Sequence, residues 1–285
     1  MRPTLSSHLL VYHPLDAAAL DALAEVGPHD LEVWLAEPHV PWRAPAAVER
    51  FRDALGGHGL RAASVHLPFY PSVPALREQG CKWSVIDPDP AARAEAVAGA
   101  AEGLRAAALL GADRGVLHLG WQRDTWDDHA HGWAREAVAA LLPVAREVGV
   151  RLLLENIVSE GTRAAALVAL LDEVDPDGEA GVCLDLGHAH VLGGVLEELR
   201  AAAPRLDHLH VHDNDGTEDA HLAPGRGTIA WESVLAELGA RRFDGMGALE
   251  LRDPTKGGAG AAAVCATAAA EVRGFLARLG EEATA

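Results

Sequence analysis

The sequence predicts an α/β protein with the (β/α)8 TIM-barrel fold, organised as one domain over residues 1–285. Short runs rich in Val, Leu and Ile alternate with longer Ala-, Leu-, Glu- and Arg-rich stretches at helical spacing, which is typical of a parallel sheet. Eight such pairs occur, whereas an open doubly wound sheet usually has fewer strands. The length of 285 residues, 49% of them hydrophobic, also suits one barrel.

The elements follow one another in a regular order. The predicted strands lie at 8–12, 30–35, 62–68, 115–120, 151–156, 181–187, 206–212 and 247–252. The predicted helices lie near 16–26, 45–57, 90–111, 132–148, 162–174, 194–203, 231–239 and 260–279. Gly111, Gly149 and Gly239 follow helical stretches, where a left-handed C-cap is expected, and Pro90 can open a helix. Two long connections, 69–89 and 213–230, follow strands on the face where barrel loops carry chemistry.

Composition excludes several classes of protein. The net charge is −18, from 42 acidic and 24 basic residues, and no dense Lys/Arg cluster occurs, so a nucleic-acid partner is not expected. Cys81, Cys183 and Cys265 are odd in number and widely spaced, which predicts buried small side chains and no disulfide or thiolate zinc site. No long apolar segment or signal-peptide pattern occurs, so we expect a cytoplasmic protein without a membrane partner. The sequence leaves open whether the chain forms a homo-oligomer.

Six of the apolar runs end in a residue type that binds metal ions. These residues are His66, His118, Glu155, Asp185, His210 and Glu250. Side chains alternate along a strand, and Glu155 shares a face with Leu153 while Leu152 and Leu154 face the other way. Because parallel barrel strands end at one rim, we predict that Glu155, Asp185, His210 and Glu250 bind a divalent cation. Such oxygen and imidazole donors favour Zn²⁺ or Mn²⁺, with Co²⁺, Mg²⁺ and Fe²⁺ left open.

Several motifs carry a family resemblance. LLLEN, GVCLDLGH, HLHVHDNDG, DAHLAPGRGTIAW and ALEL resemble the xylose isomerase-like TIM-barrel superfamily, which contains sugar-phosphate isomerases and epimerases and the endonuclease IV-type apurinic nucleases. The resemblance covers nearly the whole chain and is most specific from LLLEN onwards. It implies that Glu155, Asp185, His210 and Glu250 are metal ligands, and that His188 contacts the substrate.

The nuclease branch of this superfamily implies a larger ligand set. Its ligands for three zinc ions correspond here to His66, His118, Glu155, Asp185, His188, His210, Asp219, His221 and Glu250. The five residues outside the central set, His66, His118, His188, Asp219 and His221, are therefore candidates for additional ions. We expect one ion, and two or three are left open. The alternative for Asp219 and His221 is a polar loop that binds substrate or faces solvent.

The isomerase and epimerase branch implies a specific reaction. There the metal binds adjacent oxygens of a hydroxy-ketone and stabilises an enediolate, while carboxylates move a proton at the neighbouring carbon. We therefore predict Glu155 and Glu250 as the catalytic pair and a small sugar, sugar phosphate or cyclitol as substrate. His188, His66, Arg226 and Trp121 are the candidate substrate contacts. The alternatives are a surface ion pair for Arg226 and packing for Trp121.

Two other functions compete with this prediction. The first is an endonuclease IV-like multi-zinc phosphodiesterase that acts on abasic DNA. The loop sequences DTWDDHAH and DNDGTEDAH are acidic and would repel a phosphodiester backbone. We therefore favour the isomerase or epimerase function over the nuclease function. The second is a barrel that binds sugar without turnover. Glu32, which also points inward, is expected to form a hydrogen bond within the barrel.

Overall fold

Eight parallel strands close into a barrel in chain order, with β8 pairing back onto β1. The computed structural model of the chain describes residues 1–282, with side chains to residue 279. The strands are β1 Arg2–Ser6, β2 Asp30–Trp34, β3 Arg61–His66, β4 Arg114–His118, β5 Arg151–Glu155, β6 Gly181–Asp185, β7 Leu206–Val211 and β8 Met246–Leu249. The predicted fold class, a single TIM-barrel domain, is confirmed.

Helices surround the barrel. They are α1 Ala17–Ala24, α2 Pro45–Gly57, α3 Val73–Gln79, α4 Pro90–Leu110, α5 Asp128–Val148, α6 Ala164–Val174, α7 Leu186–Val191, α8 Val195–Ala202, α9 Trp231–Ala240 and α10 Ala261–Glu282. Pro90 opens α4, and Gly111 and Gly149 are left-handed C-caps, as predicted. The prediction for Gly239 is wrong, because this residue lies inside α9 and Arg242 has the positive φ of 53° instead.

The first strand was predicted at 8–12, and this is wrong. The strand is Arg2–Ser6, and Ser7–Leu10 form a 3-10 helix. The strand was missed because Pro3 counts against a central strand and because only Leu5 in it is a large apolar residue. The run at 8–12 is apolar because Leu9 and Leu10 pack into the main hydrophobic core, not because it extends a sheet.

The barrel interior changes character along its axis. Val116, Leu153 and Cys183 form a small apolar cluster inside the barrel, while Leu152 and Leu154 face outward into the main core between strands and helices. Towards the carboxyl ends of the strands, the buried inward side chains become polar. The strands thus direct polar side chains to one rim. Of the cysteines, Cys183 and Cys265 are buried as predicted, whereas Cys81 is partly exposed.

Within residues 1–282, no helix combines the length and apolar character needed to span a bilayer.

Candidate metal centre

Four neighbouring strands end on side chains that face the barrel mouth. His66, His118, Glu155 and Asp185 are the last residues of β3, β4, β5 and β6. The strand register sets His118 beside Glu155 and Asp185 beside His210. The predicted metal-binding residues are therefore brought together at one rim by parallel pairing, although they are far apart in the sequence.

The central donor group consists of Glu155, Asp185, His210 and Glu250. One donor atom from each lies within 4.8 Å of all the others. His210 Nδ1 is 2.9 Å from Glu155 Oε1, 3.0 Å from Glu250 Oε2 and 3.7 Å from Asp185 Oδ2. All four side chains are buried. Three carboxylates and one imidazole in such a small volume are a fitting ligand set for a divalent cation.

A second donor group shares Glu155 with the first. His66 Nε2 and His118 Nε2 lie 3.3 Å and 2.9 Å from Glu155 Oε2, the oxygen that does not face His210. Glu155 thus offers one oxygen to each group. This arrangement suits a carboxylate that bridges two cations.

The third donor group lies between α7 and the loop after β7. It contains His188, Asp219 and His221, as the nuclease resemblance implied, together with His212, which the sequence analysis did not assign. Asp219 Oδ2 is 2.9 Å from His221 Nε2 and 3.5 Å from His188 Nε2.

Three of the six histidines in these groups have the orientation that is common for metal ligands. Nδ1 of His66, His188 and His221 lies 2.8 to 3.0 Å from the backbone carbonyls of Leu67, Asn156 and Glu250. A carbonyl only accepts, so each Nδ1 carries a proton and donates it, and Nε2 is the ring nitrogen that can bind a cation. His66 Nε2 and Glu155 Oε2 are also buried without a hydrogen-bond partner. These unsatisfied polar atoms are what a cation site requires.

The electrostatics of the carboxylates point the same way. Burial alone would raise the pKa of Glu155, but the imidazoles of His210 and His118 outweigh it and hold that pKa well below its usual value. For Glu250, burial is likewise outweighed, here chiefly by His210 and His221. Both carboxylates are ionised at neutral pH. The imidazoles stabilise this buried negative charge, and a bound metal ion would do the same.

Glu32 lies behind His210, on the side away from the mouth. Its Oε1 is 2.9 Å from His210 Nε2, and its Oε2 accepts hydrogen bonds from His208 Nε2 at 2.9 Å and Ser64 Oγ at 3.0 Å. Glu32 is fully buried. The expected hydrogen bonding within the barrel is present, and the contact to His210 links Glu32 to the central donor group.

A cavity of about 280 Å³ lies over the donor groups. Glu155, Glu250 and His188 line its base, and an aromatic wall lines one side. We use "aromatic wall" for Tyr12, Trp34, Phe69, Tyr70 and Trp121, to which α3 adds Val73 and Leu76. The volume is near the lower end for small-molecule sites.

The predicted substrate contacts fall in different places. His188 and Trp121 line the cavity, and His66 is buried in the second donor group. Arg226 is not among the lining residues, because its guanidinium bonds Glu271 on the exposed side of α10 at 2.9 Å. Arg77 on α3 and Arg252 after β8 line the cavity instead. His8 also lines it, next to Glu250, and was missed because the first strand was misplaced.

The loop that supplies Asp219 and His221 is held by one buried carboxylate. Asp213 Oδ2 accepts from Gly225 N and Trp231 Nε1, each at 2.8 Å, and Oδ1 accepts from Asn214 N and Ile229 N. The side chain is fully buried. Asp213 therefore fixes the loop from both of its ends.

Asp213→Asn is expected to destabilise the protein by about 2–4 kcal/mol, because an amide NH2 would replace one acceptor oxygen and leave buried donors unpaired. Urea unfolding monitored by fluorescence and circular dichroism measures this. Asp215→Asn, at an exposed neighbour in the same loop whose carboxylate bonds Thr217, is the matched control. Equal stability of the two variants would contradict the role given to Asp213.

Comparison with known proteins identifies the family. The model of the xylose isomerase-like TIM barrel family matches residues 20–270. The chain belongs to this family. A probable endonuclease 4 of Methanoculleus marisnigri is 27% identical over 263 residues, which are 83% of this chain and 88% of that protein. An uncharacterised protein of Methanocaldococcus jannaschii is 27% identical over 205 residues, and the match spans 67% of this chain and 66% of the relative.

Solved structures of similar fold include a D-tagatose 3-epimerase-like protein. It has a TM-score of 0.78 at 18% identity and covers 99% of this chain and 100% of its own, a likeness of fold alone. A Thermus thermophilus protein, in a structure obtained by soaking with ZnCl2, has a TM-score of 0.65 at 29% identity and covers 94% of this chain and 99% of its own. The zinc-soaked structure belongs to this similar protein, and the His/Glu donor groups belong to the present chain, itself a member of the xylose isomerase-like family. Together they indicate a divalent metal.

Proposed function

We propose that this chain is a divalent-metal-dependent isomerase or epimerase of a small sugar, sugar phosphate or cyclitol. The observation that supports it is the position of two carboxylates at the base of a small cavity. Glu155 and Glu250 both line the cavity, and each lies within 3.0 Å of His210 Nδ1. A carboxylate pair beside one candidate ion is suited to moving a proton at a carbon next to a carbonyl.

The residues of the site have separate tasks in this reaction. Glu155, Asp185, His210 and Glu250 would hold the ion, which when bound polarises the oxygens of the substrate. One of the carboxylates Glu155 and Glu250 takes the proton from the carbon next to the carbonyl. For epimerisation the other carboxylate must first take up a proton from solvent, which it then delivers to the opposite face of the same carbon. For isomerisation the carboxylate that took the proton returns it to the neighbouring carbon. His188 lines the cavity, where the edge of its ring would contact the substrate.

The rest of the cavity selects the substrate. The aromatic wall offers faces on which the apolar side of a sugar ring can pack. Arg77 and Arg252 are the basic side chains among the lining residues and would pair with a phosphate group. Duplex DNA buries a much wider and more basic protein surface than this cavity presents. A nucleic-acid substrate is therefore not expected.

Solvent exchange tests the proposal directly. We expect the metal-loaded protein to incorporate deuterium from D2O next to the carbonyl of at least one member of a panel of ketoses and ketose phosphates, as measured by NMR. Chelation should abolish the exchange, and Mn²⁺ or Zn²⁺ should restore it. Glu250→Gln should lose it, whereas Glu232→Gln, an exposed glutamate of α9, should keep it. Absence of exchange across the panel in fully loaded protein would count against the proposal.

A second candidate function is hydrolysis of a phosphoester by several metal ions. It is favoured by the three donor groups and by the relatives named endonuclease 4. Clustered ions would activate water and neutralise the leaving oxygen. The net charge of −18 opposes binding of a polyanion. Cleavage of an abasic duplex by the zinc-loaded protein, with affinity that falls steeply with salt, would reverse the ranking.

A further inference from the structure

We infer that His212 is a fourth donor of the third group. With His188, Asp219 and His221 it forms a closed zinc site, whose ion holds the loop after β7 and does not itself bind substrate. The inference rests on the proposed metal dependence of this chain. It does not depend on which reaction the central donor group catalyses.

The positions of the donor atoms support a four-ligand site. The four side chains each offer one donor atom within 4.8 Å of the others. Asp219 Oδ2 faces His188 and His221, while its other oxygen, Oδ1, lies 3.7 Å from His212 Nε2. Asp219 Oδ1 is buried without a hydrogen-bond partner. An unsatisfied buried carboxylate oxygen beside an imidazole nitrogen is a feature that fits a cation site.

A glycine at position 187 leaves the space that the His212 ring occupies. His212 is fully buried and stacks on His221 with ring centroids 4.1 Å apart and an interplanar angle of 17°. A Cβ on Gly187 would lie 1.9 Å from His212 Cε1. Gly187 lies within α7 and is not among the glycines with positive φ, so it is not needed for backbone conformation. A glycine inside a helix costs about 1 kcal/mol relative to alanine, and here it admits the imidazole.

The chemistry of the donors separates this group from the central one. The third group offers three imidazole nitrogens and one carboxylate oxygen, which match tetrahedral zinc and fill its coordination sphere. The central group offers three carboxylates and one imidazole, which suit an ion with higher coordination number and free positions for substrate oxygens. A filled sphere leaves the third ion no position for a phosphoryl oxygen or a reactive water. Its effect would be to tie α7 to the loop that carries Asp219 and His221.

His212 has a rival role, which the test must separate. Its Nε2 also lies 3.0 Å from Asp185 Oδ2, so it could serve only to orient that central ligand. If His212 is a ligand of the third group, its replacement should weaken binding of the third ion. If it only orients Asp185, its replacement should weaken binding of the central ion. We therefore compare zinc release into a chromogenic chelator for His212→Asn with release for Asp219→Asn, which lacks the third group, and for Glu250→Gln, which lacks a central ligand.

We expect wild-type protein to release zinc in separate phases, one of which is missing in Asp219→Asn. In His212→Asn this same phase should be lost or accelerated by about 100-fold or more, since loss of even an outer partner of a ligand costs roughly 10- to 100-fold in affinity. His190→Asn, a histidine of the same helix that bonds Thr228, is the matched control and should release zinc as wild type does.

Three outcomes would overturn the inference. In the first, the zinc-release phase that Asp219→Asn lacks is unchanged in His212→Asn. In the second, the phase that changes in His212→Asn is the one that Glu250→Gln lacks. In the third, wild-type protein holds a central ion but no ion that depends on Asp219. Protein that binds no metal at all would instead overturn the proposed function. Should His212→Asn not fold, Co²⁺ bound by wild-type protein decides the question. The Asp219-dependent ion should then show strong visible absorption of tetrahedral Co²⁺, and a weak six-coordinate spectrum would overturn the inference.

Discussion

Glu155→Gln is expected to lower activity by on the order of 10³-fold or more and to weaken two metal sites together. The glutamate offers Oε1 to the central donor group and Oε2 to His66 and His118. The amide has almost the same shape, but it carries no charge and replaces one donor oxygen with an NH2 group. Lewis-acid assistance by a metal ion supplies several kcal/mol, so its loss is large on the rate scale.

Metal content per chain and turnover of the same preparation measure this effect. Glu160→Gln is the control, because Glu160 is close in sequence but bonds Arg163 at the exposed surface. Gel filtration and circular dichroism establish that both variants are folded. A folded Glu155→Gln variant with wild-type metal content and activity would refute the central role of this residue.

The parts of the site that follow from strand pattern could be predicted from the sequence. Alternation along a strand assigns Glu155 and Asp185 to the inner face, and parallel pairing brings their ends to one rim. No long-range information is needed for this step, because the repeated βα order already fixes which ends of the strands meet.

The parts that depend on loop conformation could not be predicted. The motif PGRG suggested Arg226 as a substrate contact, but its partner Glu271 is 45 residues away on α10. Arg252 lines the cavity because the chain turns after β8, and α3 brings Val73, Leu76 and Arg77 to the cavity. His8 was hidden by the misplaced first strand. Such contacts are set by tertiary packing, which short-range pattern does not encode.

Glu32→Gln is expected to weaken the central metal site by about 10- to 100-fold without removing any ligand. If His210 binds the ion through Nδ1, its Nε2 must carry a proton, and Glu32 Oε1 lies 2.9 Å from this nitrogen. The carboxylate then fixes the orientation of the ring and makes its Nδ1 a stronger donor. The pKa of Glu32 supports an ionised group: burial would raise it, but His210 and His208 outweigh burial and hold it far below its usual value.

Metal affinity, measured by competition with a chromogenic chelator, and activity as a function of metal concentration separate positioning from a purely structural role. If Glu32 acts through His210, saturating metal should restore kcat of Glu32→Gln to within several-fold of wild type. If Glu32 only supports the core, activity should stay low at every metal concentration. Ser64→Ala removes a hydroxyl that bonds the same carboxylate and should cost only about 1 kcal/mol of stability with little change in metal affinity. A larger loss of affinity in Ser64→Ala than in Glu32→Gln would show that the charge of Glu32 is not what orients His210.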